Sequence, residues 1–156
     1  MKKHLMLAMG LLSSVTAIAN TTPDTTPAKE TRPMLAIYLL DLNGKVAKPI
    51  RSTTYSVSQK NLHLCWEAVN VPFTAKNQVT EIFNAPAPAK FTEQGVTVVS
   101  SNDGKTHTIS RQLASHNNEF IRKCWKFDKT DPKGEYTLQV RINNIEFPAM
   151  PFNIVK

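Results

Sequence analysis

Two Cys-Trp dipeptides, Cys65-Trp66 and Cys124-Trp125, hold every cysteine and every tryptophan of the 156-residue chain. Each sits inside a segment whose side chains alternate. In Leu62 to Ala68 the positions Leu62, Leu64, Trp66 and Ala68 are apolar, with His63, Cys65 and Glu67 between them. A period of two is that of a strand with one buried face, so Trp66 is expected inside and Cys65 on the solvent side. In the second segment Ile121, Trp125 and Phe127 form the inner set, while Arg122, Cys124, Lys126 and Asp128 point out. Both sulfurs are therefore expected on a solvent face.

The redox state of that pair depends on compartment. Lys2, Lys3 and His4 precede the apolar run Leu5 to Leu12, and Ala17-Ile18-Ala19 supplies small residues at a cleavage site. This pattern predicts a signal peptide over residues 1–19. The run is too short, and too interrupted by Ser13, Ser14 and Thr16, for a transmembrane anchor. Residues 20–33 carry no large apolar side chain and read as a flexible leader. A periplasmic or secreted location follows, where paired cysteines oxidise. Two of the 19 basic residues and none of the 12 acidic ones lie in 1–19, which leaves the mature chain at +5. That charge permits an anionic partner without requiring one.

A Cys65–Cys124 bond between antiparallel neighbours sets a register. Leu64 then meets Trp125, Leu62 meets Phe127 and Ala68 meets Ile121 on the inner face, and Glu67 meets Arg122 on the outer. One assumed bond yields three apolar pairs and an ion pair, which a wrong register would not do. The poor match is Lys123 opposite Trp66, acceptable if its stem runs past the ring. Closing this loop contributes roughly 4 kcal/mol on the chain-entropy view. A catalytic redox pair would call for a Cys-x-x-Cys spacing, which the chain lacks.

The remaining segments also read as strands. Leu35 to Leu42 ends at the hairpin signal Asn43-Gly44, and Val46 to Val57 continues in extended form. Val79 to Phe83 leads into a Pro-Ala connection, Asn84 to Lys90, which is either a rigid spacer or a recognition loop. Val96 to Ser100 and Thr106 to Leu113 flank the turn Asn102-Asp103-Gly104. Tyr136 to Ile142 and Ile145 to Val155 are joined across Asn143-Asn144, and Pro148 and Pro151 favour an edge position for the last run. About seven to nine strands in roughly 120 residues, with no helical periodicity, predict an all-β antiparallel sandwich over residues 34–156.

Within this pattern Asp131-Pro132-Lys133-Gly134-Glu135-Tyr136 resembles the Asp-x-x-Gly-x-Tyr entry to the penultimate strand of immunoglobulin-like domains. The resemblance covers about ten residues. It implies an immunoglobulin-like sandwich, a tyrosine hydroxyl bonded back to the corner's backbone, and the two Cys-Trp segments as adjacent second and fifth strands. The family's cysteine two residues past the tyrosine is replaced by Leu138, so its usual inter-sheet bridge is absent.

Chemistry-bearing motifs are scarce. His63 and His107 fall on outward positions and His116 in a polar loop, without ligand spacing, so no metal or other cofactor is expected. A triad drawn from Ser110, His107 and Asp103 lacks an oxyanion loop. Arg122, Lys123, Lys126, Lys129 and Lys133 crowd one strand and the turn after it. Arg122, Lys126, Lys129 and Lys133 are the candidate surface for an anionic partner, set against the blander reading of a solvated sheet face. Nucleic acid is not expected, because no aromatic ladder interleaves the basic positions. The sequence thus points to an exported, non-catalytic, monomeric binding or accessory module acting on an envelope protein or an anionic glycan. A fibre subunit and an inhibitor of an envelope enzyme are the alternatives; residues 20–33 lack the alternating apolar side chains that donor-strand assembly requires.

Overall fold

The computed structural model describes residues 32–156. The segments expected to be a signal peptide, 1–19, and nearly all of the expected leader, 20–33, lie outside the described residues. Eleven strands follow in order: β1 (Met34–Asp41), β2 (Lys48–Ile50), β3 (Thr54–Ser56), β4 (Leu62–Val69), β5 (Asn77–Asn84), β6 (Thr97–Ser100), β7 (Thr106–Leu113), β8 (Phe120–Trp125), β9 (Gly134–Ile142), β10 (Ile145–Glu146) and β11 (Met150–Val155). One sheet has the order β2-β1-β4-β8; the other runs β3-β11-β9-β5-β7-β6, with β10 beside β9. The all-β sandwich expected from the alternation is the fold observed.

The register between the two Cys-Trp strands is the one deduced. Leu64 faces Trp125, Cys65 faces Cys124, Glu67 faces Arg122 and Ala68 faces Ile121. The bridge Cys65–Cys124 is formed, with Cα atoms 4.0 Å apart. β8 stops at Trp125, so Phe127 lies beyond the ladder although it is still buried in the core.

Several expectations need correction. Cys65 is fully buried rather than on a solvent face, because β4 is interior to its sheet and Tyr38 and Cys124 flank it. His107 is also buried, at 1% exposure. It shares the inward face of β7 with Ile109 and Arg111, its ring 4.7 Å from that of Phe91, and Ser100 and the Gly104 carbonyl hold both ring nitrogens. The bonded pair are the fourth and eighth strands, since the extended run Val46 to Val57 divides into β2 and β3, which join different sheets. The last run is not an edge: β11 lies between β9 and β3, and β3 pairs with it in parallel. Pro151 is tolerated because β3 reaches only Asn153–Val155, leaving that side of Pro151 unpaired.

The turns follow local chemistry. Asn143 has φ 55° and Gly104 φ 66° at the two tight hairpins, as Asn and Gly permit. The Asn43-Gly44 signal does close a hairpin, but Asp41 pairs with Lys48 across a longer loop, where Asn43 bonds Asp41 and the Lys60 carbonyl. The Asn84 to Lys90 connection is tied down by Ala85 N–H to Lys105 O (2.8 Å) and Ala89 N–H to Gly104 O (2.9 Å). Gly134 has φ 131°, and a Cβ there would stand 3.1 Å from Pro86.

The core is dense in aromatic rings. Phe83 stacks on Phe91 at 4.7 Å, Tyr136 stacks on Phe152 at 5.1 Å, and Phe127 reaches both Tyr136 and Phe152. The Tyr136 hydroxyl donates to Pro132 O at 2.9 Å, closing the corner before β9. The buried Tyr55 hydroxyl accepts the Phe127 N–H and lies within bonding distance of the Leu62 and Phe127 carbonyls.

Candidate functional site

The densest polar chemistry in the domain is internal. Val79, Glu81 and Phe83 alternate on the inward face of β5, so the pleat drives a carboxylate into the core. Glu81 is 0% exposed. Trp66 and Trp125 both donate their indole N–H groups to its Oε1, at 2.6 and 2.7 Å. Arg111, inward on β7, places NH2 3.0 Å from Oε2. That distance pairs the charges, but the approach is off-line for a hydrogen bond, and Arg111 Nε has no acceptor. Burial pushes the Glu81 carboxyl above the ordinary range, while the indoles, Arg111 and Lys123 pull it back.

The network continues to the surface through Glu93. One of its oxygens takes Arg111 NH1 at 2.6 Å, the other Lys123 Nζ at 2.6 Å. Burial works against ionisation of Glu93, but these two cations outweigh it and hold its carboxyl low. Arg111 and Lys123 also lie over the Trp125 ring, 5.2 and 5.4 Å from its centroid. This resolves the mismatch of Lys123 opposite Trp66: the lysine faces inward and is neutralised by a carboxylate from a loop. The arrangement joins the two sheets. Each carboxylate oxygen stands within 3.0 Å of an indole N–H or a cationic nitrogen, so the network serves as a structural clamp. Glu81 and Arg111 were missed by sequence reasoning; the available signal was a charged residue at an inward position on each of two strands.

The candidate basic residues do not form one surface. Arg122 sits on the outer face of β8, 2.5 Å from Glu67 and over the Phe120 and Tyr38 rings. Lys133 Nζ is drawn into its own turn, donating to the Lys129 carbonyl at 3.1 Å and to that of Asp131. Lys126 and Lys129 are exposed and, with Lys60, line a recess of about 480 Å³ at one end of the sandwich. Lys129 also borders a second recess with Lys133 and Lys156. None of these five lysines makes an ion pair among the described residues. The neighbouring acids are engaged locally: Asp128 binds Thr130, and Asp131 accepts the Asp128 N–H. His63 is held below the usual imidazole range by burial and by Lys126.

The histidines and the drawn triad do not converge. His107 donates from Nε2 to a carbonyl, which leaves Nδ1 to accept from Ser100 Oγ at 2.8 Å. Ser110 lies three residues along the same strand on the opposite face, and Asp103 binds Ser101 and the Lys105 N–H. No group of three metal-ligating side chains occurs among the described residues. No helix of the described residues is long and apolar enough to cross a membrane.

Comparison with known proteins places this sandwich. The chain is 29% identical over 160 residues to Uncharacterized protein PM0630 of Pasteurella multocida (strain Pm70), with the whole of both chains covered. Among solved structures, Pseudomonas fluorescens alkylpurine DNA glycosylase AlkC, bound to DNA containing an abasic site analog, overlaps 78% of this chain at 10% identity with a TM-score of 0.32. The chain spans only 30% of that enzyme's length, and a likeness so distant carries neither fold nor function. A family model described as the PM0630 beta sandwich domain matches residues 35–155, nearly the whole described sandwich. The chain belongs to the PM0630 beta sandwich domain family.

Proposed function

We propose that the protein is an exported, non-catalytic binding module of the cell envelope, with an immunoglobulin-like sandwich that engages an anionic partner through its lysine-rich end. The observation that carries this reading is the set of exposed cations Lys60, Lys126 and Lys129 around one recess, with no ion-pair partner among the described residues. Asp128 also lines the recess, and three cations against one carboxylate leave it net positive, which favours an anionic ligand. The buried acids and bases are committed to holding the sheets together, which supports a binding rather than a catalytic role. The Tyr136–Pro132 bond supports the immunoglobulin-like type. The Lys-Lys-led apolar start and the formed bridge support export.

Titration of the purified protein with an acidic polysaccharide, polygalacturonate, tests the reading. Binding is expected to weaken steeply with salt and to be lost in the Lys126→Glu/Lys129→Glu variant, whose thermal midpoint stays unchanged. Absence of binding at low salt, or equal binding by the double variant, overturns it.

A further inference from the structure

A second surface lies away from the lysine-rich end, at the edge of the smaller sheet. β2 covers β1 only over Leu39–Asp41, whereas β4 pairs with β1 along its whole length. The stretch Met34–Tyr38 thus has one side without a strand among the described residues. The direction of its backbone groups follows from the bridge. A Cα separation of 4.0 Å marks Cys65 and Cys124 as a non-hydrogen-bonded pair, so Cys65 turns its N–H and C=O toward Tyr38 instead. Alternation along β1 then aims the N–H and C=O of Leu35 and Ile37 away from β4, into the open side. Leu40 opposite Pro49, which has no N–H to offer, fits the same phase.

Beside the Ile37 end of that edge, and reaching over the outer face of the sheet as far as Arg122, lies a groove of about 900 Å³, within the size range of binding sites, roughly 300–1,000 Å³. Ala36, Tyr38 and the paired Glu67 and Arg122 line it on the side of the sheet, and Pro49 and Arg51 on the far side. The far wall is the chain crossing from β2 in one sheet to β3 in the other. Among the described residues, four of the five exposed large hydrophobic side chains, Met34, Leu42, Val46 and Ile50, lie on or beside the β1–β2 hairpin. Arg51 is exposed and makes no ion pair among the described residues.

We propose that this groove takes an extended segment of a partner polypeptide, which adds as a strand to the Leu35–Ile37 edge and places an acidic side chain against Arg51. Main-chain bonds supply the affinity and the Arg51 contact the selectivity, the usual division in strand addition. An open edge of this kind invites strand pairing.

The test uses a phage-displayed library of random decapeptides selected on the purified protein, with amide hydrogen exchange as readout. In the free protein the Leu35 and Ile37 amides exchange much faster than those of Ala36 and Tyr38. A selected peptide slows both by at least roughly tenfold. Its binding falls about fivefold in Arg51→Glu, a variant at an exposed site that keeps its thermal midpoint. Charge reversal at Lys126 and Lys129 leaves peptide binding unchanged, so failure of this site and failure of the anionic-partner reading are separately visible. A library that yields no peptide protecting these two amides overturns the proposal. So does protection already present in the free protein: if deletion of residues 20–31 removes it, the chain's own leader is the occupant, and if dilution removes it, a second copy is.

Discussion

Trp66 and Trp125 donate their indole N–H groups to one and the same oxygen of Glu81, at 2.6 and 2.7 Å. The two rings come from adjacent strands of one sheet, offset diagonally by the register that pairs Leu64 with Trp125 and Trp66 with Lys123. Their acceptor stands on the facing sheet. A single carboxylate thus gathers both indoles and Arg111, satisfying polar groups that burial would otherwise penalise.

Removing that acceptor is expected to be costly. Glu81→Ala leaves two indole donors without an acceptor and the buried Arg111 with Glu93 as its one counterion, a loss of about 3–5 kcal/mol. Urea denaturation checks this, and a loss below about 1 kcal/mol is incompatible with the clamp. Adding Arg111→Leu to Glu81→Ala should recover part of the stability, because a buried charge that has lost one of its two counterions is then gone.

Loss of the bridge acts through the unfolded chain. Cys65 and Cys124 are 59 residues apart, and the Cys65→Ala/Cys124→Ala variant should lose about 4 kcal/mol. Reduction of the wild-type protein should lower its denaturation midpoint in the same direction. Since the register also rests on the apolar pairs, the folded variant should retain its far-UV spectrum.

Glu93 gives an acid-side signature. Lys123 and Arg111 hold its carboxyl below the ordinary range despite partial burial. Its contribution is therefore fully present above the unfolded carboxylate value, about 4.3, and is lost as pH falls through the lower folded value. Glu93→Gln should be less stable than wild type by about 1 kcal/mol at pH 7, and the two should converge toward pH 3 or below. Glu81 works in the opposite sense, its raised carboxyl favouring the folded state less as pH rises, so the Glu93→Gln comparison is needed to separate them. Thermal midpoints across pH 2–7 are the measurement.

Tyr136 gives an alkaline one. Burial, and secondarily Asp131, pushes its hydroxyl up to about 12. The unfolded tyrosine ionises near pH 10, so between these values the folded state holds a proton that the unfolded state has lost. Stability must then fall as pH rises through that window. Tyr136→Phe should cost about 1 kcal/mol at pH 7, the worth of the bond to Pro132, and should flatten the decline above pH 10. An unchanged alkaline slope would contradict the assignment.

Legibility varied with the range of the interaction. The alternation in Leu62 to Val69 and Thr106 to Leu113 marks those strands to the residue, because facing in or out is a property of neighbours two apart. The Cys65–Cys124 register was readable because one covalent link aligns two patterned strands. The burial of Cys65 was not, since it depends on which strands become interior to a sheet, whereas His107 is in phase with the inward Ile109 and its polarity hid a face that the alternation marks. The division of Val46 to Val57 between sheets, and the parallel seating of β3 on β11, likewise arise from packing partners distant in sequence.

The candidate sites show the same division. Lys126 and Lys129 could be named from a charge run, but the chain alone did not show that Lys60 and Lys156 join that end, or that Lys133 spends its charge on its own turn. By itself the order of residues determined strand faces, hairpin turns and the sulfur pairing, all governed by local periodicity. Tertiary structure alone decided the meeting of Glu81, Arg111, Trp66 and Trp125 and the bare edge at Leu35 and Ile37. A buried charge finds its counterion, and a backbone edge its neighbour, only when segments far apart in the chain are brought together.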